Sequence, residues 1–270
     1  MLNNLRHTGR LAAAGVMGFL LASPAMATPV VTFDHDVRTA STQPFPNTTA
    51  ARNSFLNQIT TQGGTPYNQN LTSGIPNGAN PSFPFPGSTI TATTTNFTYQ
   101  FVTFFGVNDT NNGSASSALI ESEVASGVAT APVHNSIQFS QPIDAFGVYL
   151  CQAGDVLGHP VTFVLTNTTL PGSPSENVVV NVGPSWQAYS IAYLGIIDTG
   201  FSFNQVTMTE DTDVNNNGTS DDLEDGIILD NLTIAQIPTP EPGSLLLLAL
   251  GGAIPCLMRL SRRGRANRRL

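Results

Sequence analysis

"VTFVLT", Val161 to Thr166, sets bulky apolar side chains at Val161, Phe163 and Leu165 against Thr162, Val164 and Thr166 in between. A period of two sends alternate side chains to opposite faces of an extended chain. The stretch therefore predicts a strand with one face in a core. Seven further stretches share its character: "NFTYQFVTFFGV" (96–107), "SIQF" (136–139), "IDAFGVYL" (143–150), "NVVVNV" (177–182), "WQAYSIAYL" (186–194), "FNQVTMT" (203–209) and "GIILDNLTIA" (226–235). Each is rich in β-branched or aromatic residues and is bounded by Gly, Pro, Asn or Asp. Roughly eight or nine short strands with such punctuation predict an all-β body over residues 96–237, a β-sandwich of jelly-roll type.

Residues 28–95 read differently. "PVVTF", Pro29 to Phe33, predicts a strand. "TTAARNSFLNQIT", Thr48 to Thr60, predicts one short helix with Thr48 or Thr49 as its cap and Phe55 and Ile59 on one face. From Gln62 to Ser88 the chain is dense in Gly, Pro, Asn, Ser and Thr, the composition of a long irregular loop.

Charge is distributed unevenly. All ten basic residues are arginines. Between Arg10 and Arg259 only Arg38 and Arg52 are basic, while all eighteen acidic residues fall there, so that stretch carries −16. Nucleic-acid binding needs cations facing phosphates, and this body has almost none. It should attract divalent cations and stay soluble by self-repulsion. The two cysteines do not look like a pair: Cys151 belongs to the body and reads as a buried strand residue, and Cys256 lies in a C-terminal apolar run.

The ends of the chain agree on a topology. Residues 1–27 have the build of a Sec export signal. Arg6 and Arg10 form a basic start, Leu11 to Leu21 is apolar, and Ala25-Met26-Ala27 is a small-x-small site that predicts cleavage before Thr28. At the other end, Gly243 to Met258 is a run of sixteen residues without a charge, expected to form a C-terminal membrane helix. Such a helix is about 24 Å long, at the short limit for a span. Six arginines follow it, in "RLSRRGRANRRL". The positive-inside rule keeps that tail cytoplasmic and places the body outside.

Pro240-Glu241-Pro242, the short apolar span and the arginine tail, in that order and behind an N-terminal export signal, resemble the PEP-CTERM sorting signal of Gram-negative bacteria. The resemblance covers residues 238–270. It implies recognition by an exosortase, processing near Pro240-Glu241-Pro242, transient insertion of the C-terminus in the inner membrane, and delivery to the cell envelope, outer surface or extracellular matrix in association with polysaccharide. "IQFSQPIDAFGVYL", "YLGIIDTGFSFNQVTMT" and "DGIILDNLTIA" are similar to strands of the β-rich bodies common in that group, and "AARNSFLNQI" is similar to their helix.

One loop has the spacing of a metal site. Asp213-x-Asn215-x-Asn217-Gly218-x-x-Asp221-x-x-Glu224 fits the twelve-residue calcium-loop template, with Thr219 offering its backbone carbonyl and Glu224 closing the site. Ca²⁺ takes six to eight oxygens, and alternate side chains in a tight turn converge to supply them. Ser220 stands where that template has a branched apolar residue, and strands, not helices, flank the loop. The alternative is a solvated acidic hairpin. Asp230 poses a second question: in a regular strand it shares a face with Ile228, Leu232 and Ile234, which is costly for a carboxylate. A β-bulge turning it to solvent is the expectation, a second calcium ligand the alternative.

Catalytic signatures are not evident. His35, His134 and His159 are scattered, and "DHD", Asp34 to Asp36, reads as a solvated edge because adjacent strand residues cannot converge on one ion. No Gly-x-Ser-x-Gly, His-Glu-x-x-His, Walker or dinucleotide motif occurs. Trp186 reads as core, with sugar stacking by Trp186 and Tyr189 as the alternative. The expectation is a non-enzymatic surface or matrix protein of structural or adhesive role, linked to exopolysaccharide and biofilm. A carbohydrate-binding jelly-roll module comes second and a secreted hydrolase third; facing carboxylates in a cleft would favour the hydrolase.

Overall fold

The computed structural model describes residues 28–37, 44–71, 75, 77–102, 116–121, 134–151, 160–181, 190–210 and 228–238. In chain order its elements are β1 (Val30–Asp36), α1 (Pro46–Thr61), β2 (Tyr67–Gln69), β3 (Gly78–Ala79), β4 (Ser82–Pro84), β5 (Thr91–Thr95), β6 (Phe97–Val102) and β7 (Ser116–Glu121). They continue as β8 (His134–Ile143), β9 (Ala145–Cys151), β10 (Pro160–Thr166), β11 (Ser175–Asn181), β12 (Ile191–Ile197), β13 (Phe203–Glu210) and β14 (Ile228–Ala235). The all-β expectation holds. The strands form two antiparallel sheets, one ordered β1-β12-β9-β14-β7-β6-β3 with β2 also beside β14, the other β11-β10-β13-β8-β5-β4.

The alternation in β10 has the predicted outcome. Val161, Phe163 and Leu165 are buried between the sheets, and Thr162, Val164 and Thr166 are half-exposed on the outer face. The first sheet behaves otherwise, because α1 lies across its outer face. In β9, Phe146, Val148 and Leu150 join the core between the sheets, while Ala145, Tyr149 and Cys151 join a second core beneath α1. In β12, Ala192, Leu194 and Ile196 face inward, while Ile191, Tyr193 and Ile197 lie under the helix. Burial on both faces is why these strands read as continuous apolar runs, although the sheet is antiparallel.

Phe55 seats the helix. Gly147 and Gly195 are register partners in β9 and β12, and the Phe55 ring lies directly on them. A Cβ at Gly195 would fall 2.5 Å from Phe55 Cδ2, and one at Gly147 would fall 2.6 Å from Phe55 Cε1 and closer still to the Tyr193 hydroxyl. Only glycine leaves room for the ring at these two positions.

Three expectations are corrected. The Gln62–Ser88 segment contains β2, β3 and β4, which extend both sheets. Buried polar bonds hold it: Gln69 Nε2 donates to the Pro84 carbonyl (2.6 Å), Gln69 Oε1 accepts from Leu71 N–H (3.1 Å), and Tyr99 Oη donates to the Leu71 carbonyl (2.6 Å). The helix begins at Pro46, with Phe45 at the cap position and no cap from its side chain. Thr48 lies inside the first turn and does not cap. The cap comes from Asp36 at the end of β1, so "DHD" is not simply a solvated edge. Asp34 is exposed, but the Asp36 carboxylate is buried and accepts from Asn47 N–H (3.2 Å), Thr48 N–H (2.8 Å) and Thr48 Oγ1 (2.9 Å).

Asp230 departs from its expectation in a different way. The expected bulge is present: Asp230 pairs with Tyr149 and Thr233 with Gly147, so Asn231 and Leu232 together oppose Val148. Asn231 takes the left-handed conformation that the bulge requires (φ 49°) and that asparagine tolerates. The bulge resets the parity of β14. Leu232 and Ile234 then line the core between the sheets, while Asp230 shares the helix side with Ile228. Asp230 is not turned to solvent: it is 0% exposed, and its Oδ1 accepts from Asn231 N–H at 2.7 Å.

Cys151 is buried at the end of β9, as expected. Among the described residues no helix is long and apolar enough to cross a membrane. The Gly243–Met258 run lies outside the described residues.

Candidate functional site

Strand register assigns the chain's connections to two poles. At one, Asp36, Ile191, Cys151 and Ile228 form a row across the first sheet. The ends joined by connections 152–159, 182–189 and 211–227 all lie at that pole. At the other, Val30, Ile197, Ala145 and Ala235 form the corresponding row. Three strand spacings of about 4.8 Å separate the first and last of these, so the described chain enters and leaves at points roughly 14 Å apart.

The entry and exit pole holds a polar network of buried and half-buried groups. Asp144, between β8 and β9, is its hub. Its N–H donates to the Ala235 carbonyl (2.9 Å), and its carbonyl accepts from Asp198 N–H (2.8 Å). Its Oδ1 accepts from Ser202 Oγ (2.5 Å) and its Oδ2 from Ile237 N–H (2.7 Å). One residue thus fastens four places: its carboxylate holds the start of β13 and the exit of the chain, and its backbone holds the end of β12 and the end of β14. Charge-assisted bonds of this kind contribute about 1.5–3 kcal/mol each.

Asp198, in the connection from β12 to β13, is 1% exposed. Its Oδ1 accepts from Gly200 N–H and Phe201 N–H, both at 2.9 Å, which fixes the carboxylate's orientation. Its buried Oδ2 meets no hydrogen-bond donor nitrogen or hydroxyl among the described residues. Glu176, in β11 at the edge of the second sheet, is half-buried on the side it shares with Val178 and Val180. Burial raises the Glu176 carboxyl above its ordinary value of 4.5, and a hydrogen bond to Asp198 and the negative charge there raise it further.

A polar hairpin carries β11 into this position. Asn167 Nδ2 donates to the Ser202 carbonyl (2.6 Å), Asn204 Oδ1 accepts from Thr168 N–H (2.8 Å), and Asn204 Nδ2 donates to Thr168 Oγ1 (2.9 Å).

The residues singled out from sequence lie elsewhere. Thr28 is exposed and precedes β1 by two residues. Ala25, Ala27, Pro240, Glu241 and Pro242 lie outside the described residues, as do Asp213, Asn215, Asn217, Thr219, Asp221 and Glu224, together with His159, Trp186 and Tyr189. His35 is half-buried with its ring stacked on Phe33 at 6.4 Å, and His134 opens β8. Among the described residues no group of three or more His, Cys, Asp or Glu side chains is placed to hold a metal ion. The sequence reading missed Asp144 and Asp198. Asp198 carries a local signal, since an aspartate after an apolar run and before Thr-Gly ("GIIDTGF") marks a side chain that bonds the next turn's backbone, whereas the side-chain partners of Asp144, Ser202 and Ile237, are distant in sequence and leave no local signal.

The chain matches no protein-family model and no curated protein.

Proposed function

We propose that this is an exported, non-enzymatic protein of the outer surface or extracellular matrix of a Gram-negative bacterium, structural or adhesive in role and working beside exopolysaccharide. Sec machinery exports it, residues 243–258 hold it transiently in the inner membrane, and an exosortase processes it at Pro240-Glu241-Pro242. The observation that carries this reading is the ordered C-terminal signal behind an N-terminal export signal. The placement of Val30 and Ala235 in one row supports it, since a body tethered by its C-terminus then points the opposite pole away from the membrane. Residues 213–224, between strand ends Glu210 and Ile228 that lie at that outward pole, bind calcium from the surroundings. Successive strands pass repeatedly from one sheet to the other, from β8 through β10 and from β11 through β14, which favours the jelly-roll reading of the sandwich.

A carbohydrate-binding role for the same body is second. It calls for an exposed aromatic platform, and the large exposed hydrophobic side chains among the described residues are valines and Leu170. The direct test is the intact mass of the mature protein from its native host. The expected mass begins at Thr28 and ends near Pro242. A mass that includes Leu270 would overturn the processing.

A further inference from the structure

Four strands end the two sheets among the described residues: β1 and β3 in the first, β11 and β4 in the second. An edge strand presents backbone N–H and C=O groups to any strand that comes beside it, and proteins blunt such edges with brevity, proline, charge or a bulge. β3 has two residues, and β4 has three and ends on Pro84. β1 carries the exposed Asp34 and runs beside α1, where Gln58 Nε2 donates to Thr32 Oγ1 (3.3 Å). β11 has none of these devices over residues 177–181. It pairs with β10 through seven consecutive residues without a register shift, and its one charge, Glu176, stands near its start. Val179 is 55% exposed, the most exposed large hydrophobic side chain among the described residues.

The order of residues on this edge says what fits it. Asn177-Val178-Val179-Val180-Asn181 reads the same in both directions. Set antiparallel to its own copy about a two-fold axis at Val179, such a strand meets itself position by position. Val179 faces Val179, Val178 faces Val180, and Asn177 faces Asn181. The burial pattern assigns these pairs to faces. Asn177, Val179 and Asn181 are exposed on the outer face, while Val178 and Val180 are buried in the core between the sheets. The pairing therefore covers the exposed valine with its own copy, lengthens the inner apolar row, and sets amide against amide outside. Glu176 lies just beyond the symmetric segment, so its two copies fall at opposite ends of the joint. Parallel pairing in register would set them side by side, where like charges repel.

We propose that β11 is a self-association edge: two copies of this chain join antiparallel through residues 177–181, and their second sheets become one continuous sheet. The contact uses the same patch on both copies, so it closes as a two-fold dimer. The far end of each second sheet, β4, is too short and too proline-bound to carry the sheet further. Each copy brings a stretch carrying −16, so the dimer should weaken at low ionic strength and tighten at physiological salt.

The test uses the full chain in detergent, in a Cys256→Ser background that leaves buried Cys151 as the remaining native thiol. Facing Cβ atoms of an antiparallel pair stand about 4.5–5.5 Å apart, so Val179→Cys should form an intermolecular disulfide on mild oxidation. Val164→Cys, half-exposed on β10, is the control: three strand spacings hold its copies about 14 Å or more apart, beyond the reach of a disulfide. Sedimentation over a concentration series should show dimer in the wild-type chain. Val179→Glu and Val179→Lys should each weaken it by roughly tenfold or more, and mixing the two should restore it, because opposite charges then face across the axis. A monomer at every concentration overturns the proposal. So do equal cross-linking at positions 164 and 179, and a dimer that Val179→Glu leaves intact, since another surface would then hold the copies. Val179→Cys keeps the apolar character of the site and decides the question by itself should a charged variant fail to fold.

Discussion

Phe55 shows how far one side chain can dictate its neighbours. Its ring occupies the space that a Cβ would need at both Gly147 and Gly195. Gly195→Ala must therefore displace the ring, and overpacking of this kind costs about 1–3 kcal/mol. The expected result is a melting temperature lower by roughly 2–4 °C per kcal/mol. Phe55→Leu combined with Gly195→Ala should cost less than the two single changes added together, because the smaller side chain vacates the contested volume. Additive losses would show that the ring and the glycine do not interact. Neither glycine advertises this role in the sequence. "DAFGVYL" and "AYLGII" read as strands with a tolerated glycine, and the facing partner is a helix residue 92 positions before Gly147 and 140 before Gly195.

At the scale of the element, α1 depends on a carboxylate that it does not contain. Its own first turn has no acidic residue, and Asp36 of β1 meets the N–H groups of Asn47 and Thr48 and the positive end of the helix dipole. Asp36→Ala should destabilise the fold by about 1–2 kcal/mol, the ordinary cost of losing a helix cap. Amide exchange should accelerate first at Asn47 and Thr48; protection lost evenly along α1 would argue against a cap. The connection between β13 and β14 carries the proposed calcium site at 213–224. Calcium at a hundred times its dissociation constant would add about 2.7 kcal/mol to stability. Melts in EDTA and in added Ca²⁺ should then differ by several degrees, and Glu224→Gln should abolish the difference. An unchanged melt in the wild-type chain would sink the site.

At the scale of the whole molecule, a stretch carrying −16 is bound together by two apolar cores and by carboxylates used as hydrogen-bond hubs. Self-repulsion should matter at low ionic strength, where the screening length is about 30 Å, and much less at physiological salt, where it is about 8 Å. The melting temperature should rise with sodium chloride over that range; a flat response would mean that the acidic residues are too dispersed to repel. The sequence by itself determined the all-β class, the position of the helix, the alternating face of β10 and the acidic character of the body. Each is a local property, set by the period of the apolar residues or by composition. Only the tertiary structure decided that α1 buries the second face of β9 and β12, that a bulge moves Asp230 to the helix side, and that Asp36 caps a helix eleven residues on. These depend on which strands become neighbours and in what register, and a one-residue shift in register, such as the bulge at Asn231, sends every later side chain to the other face.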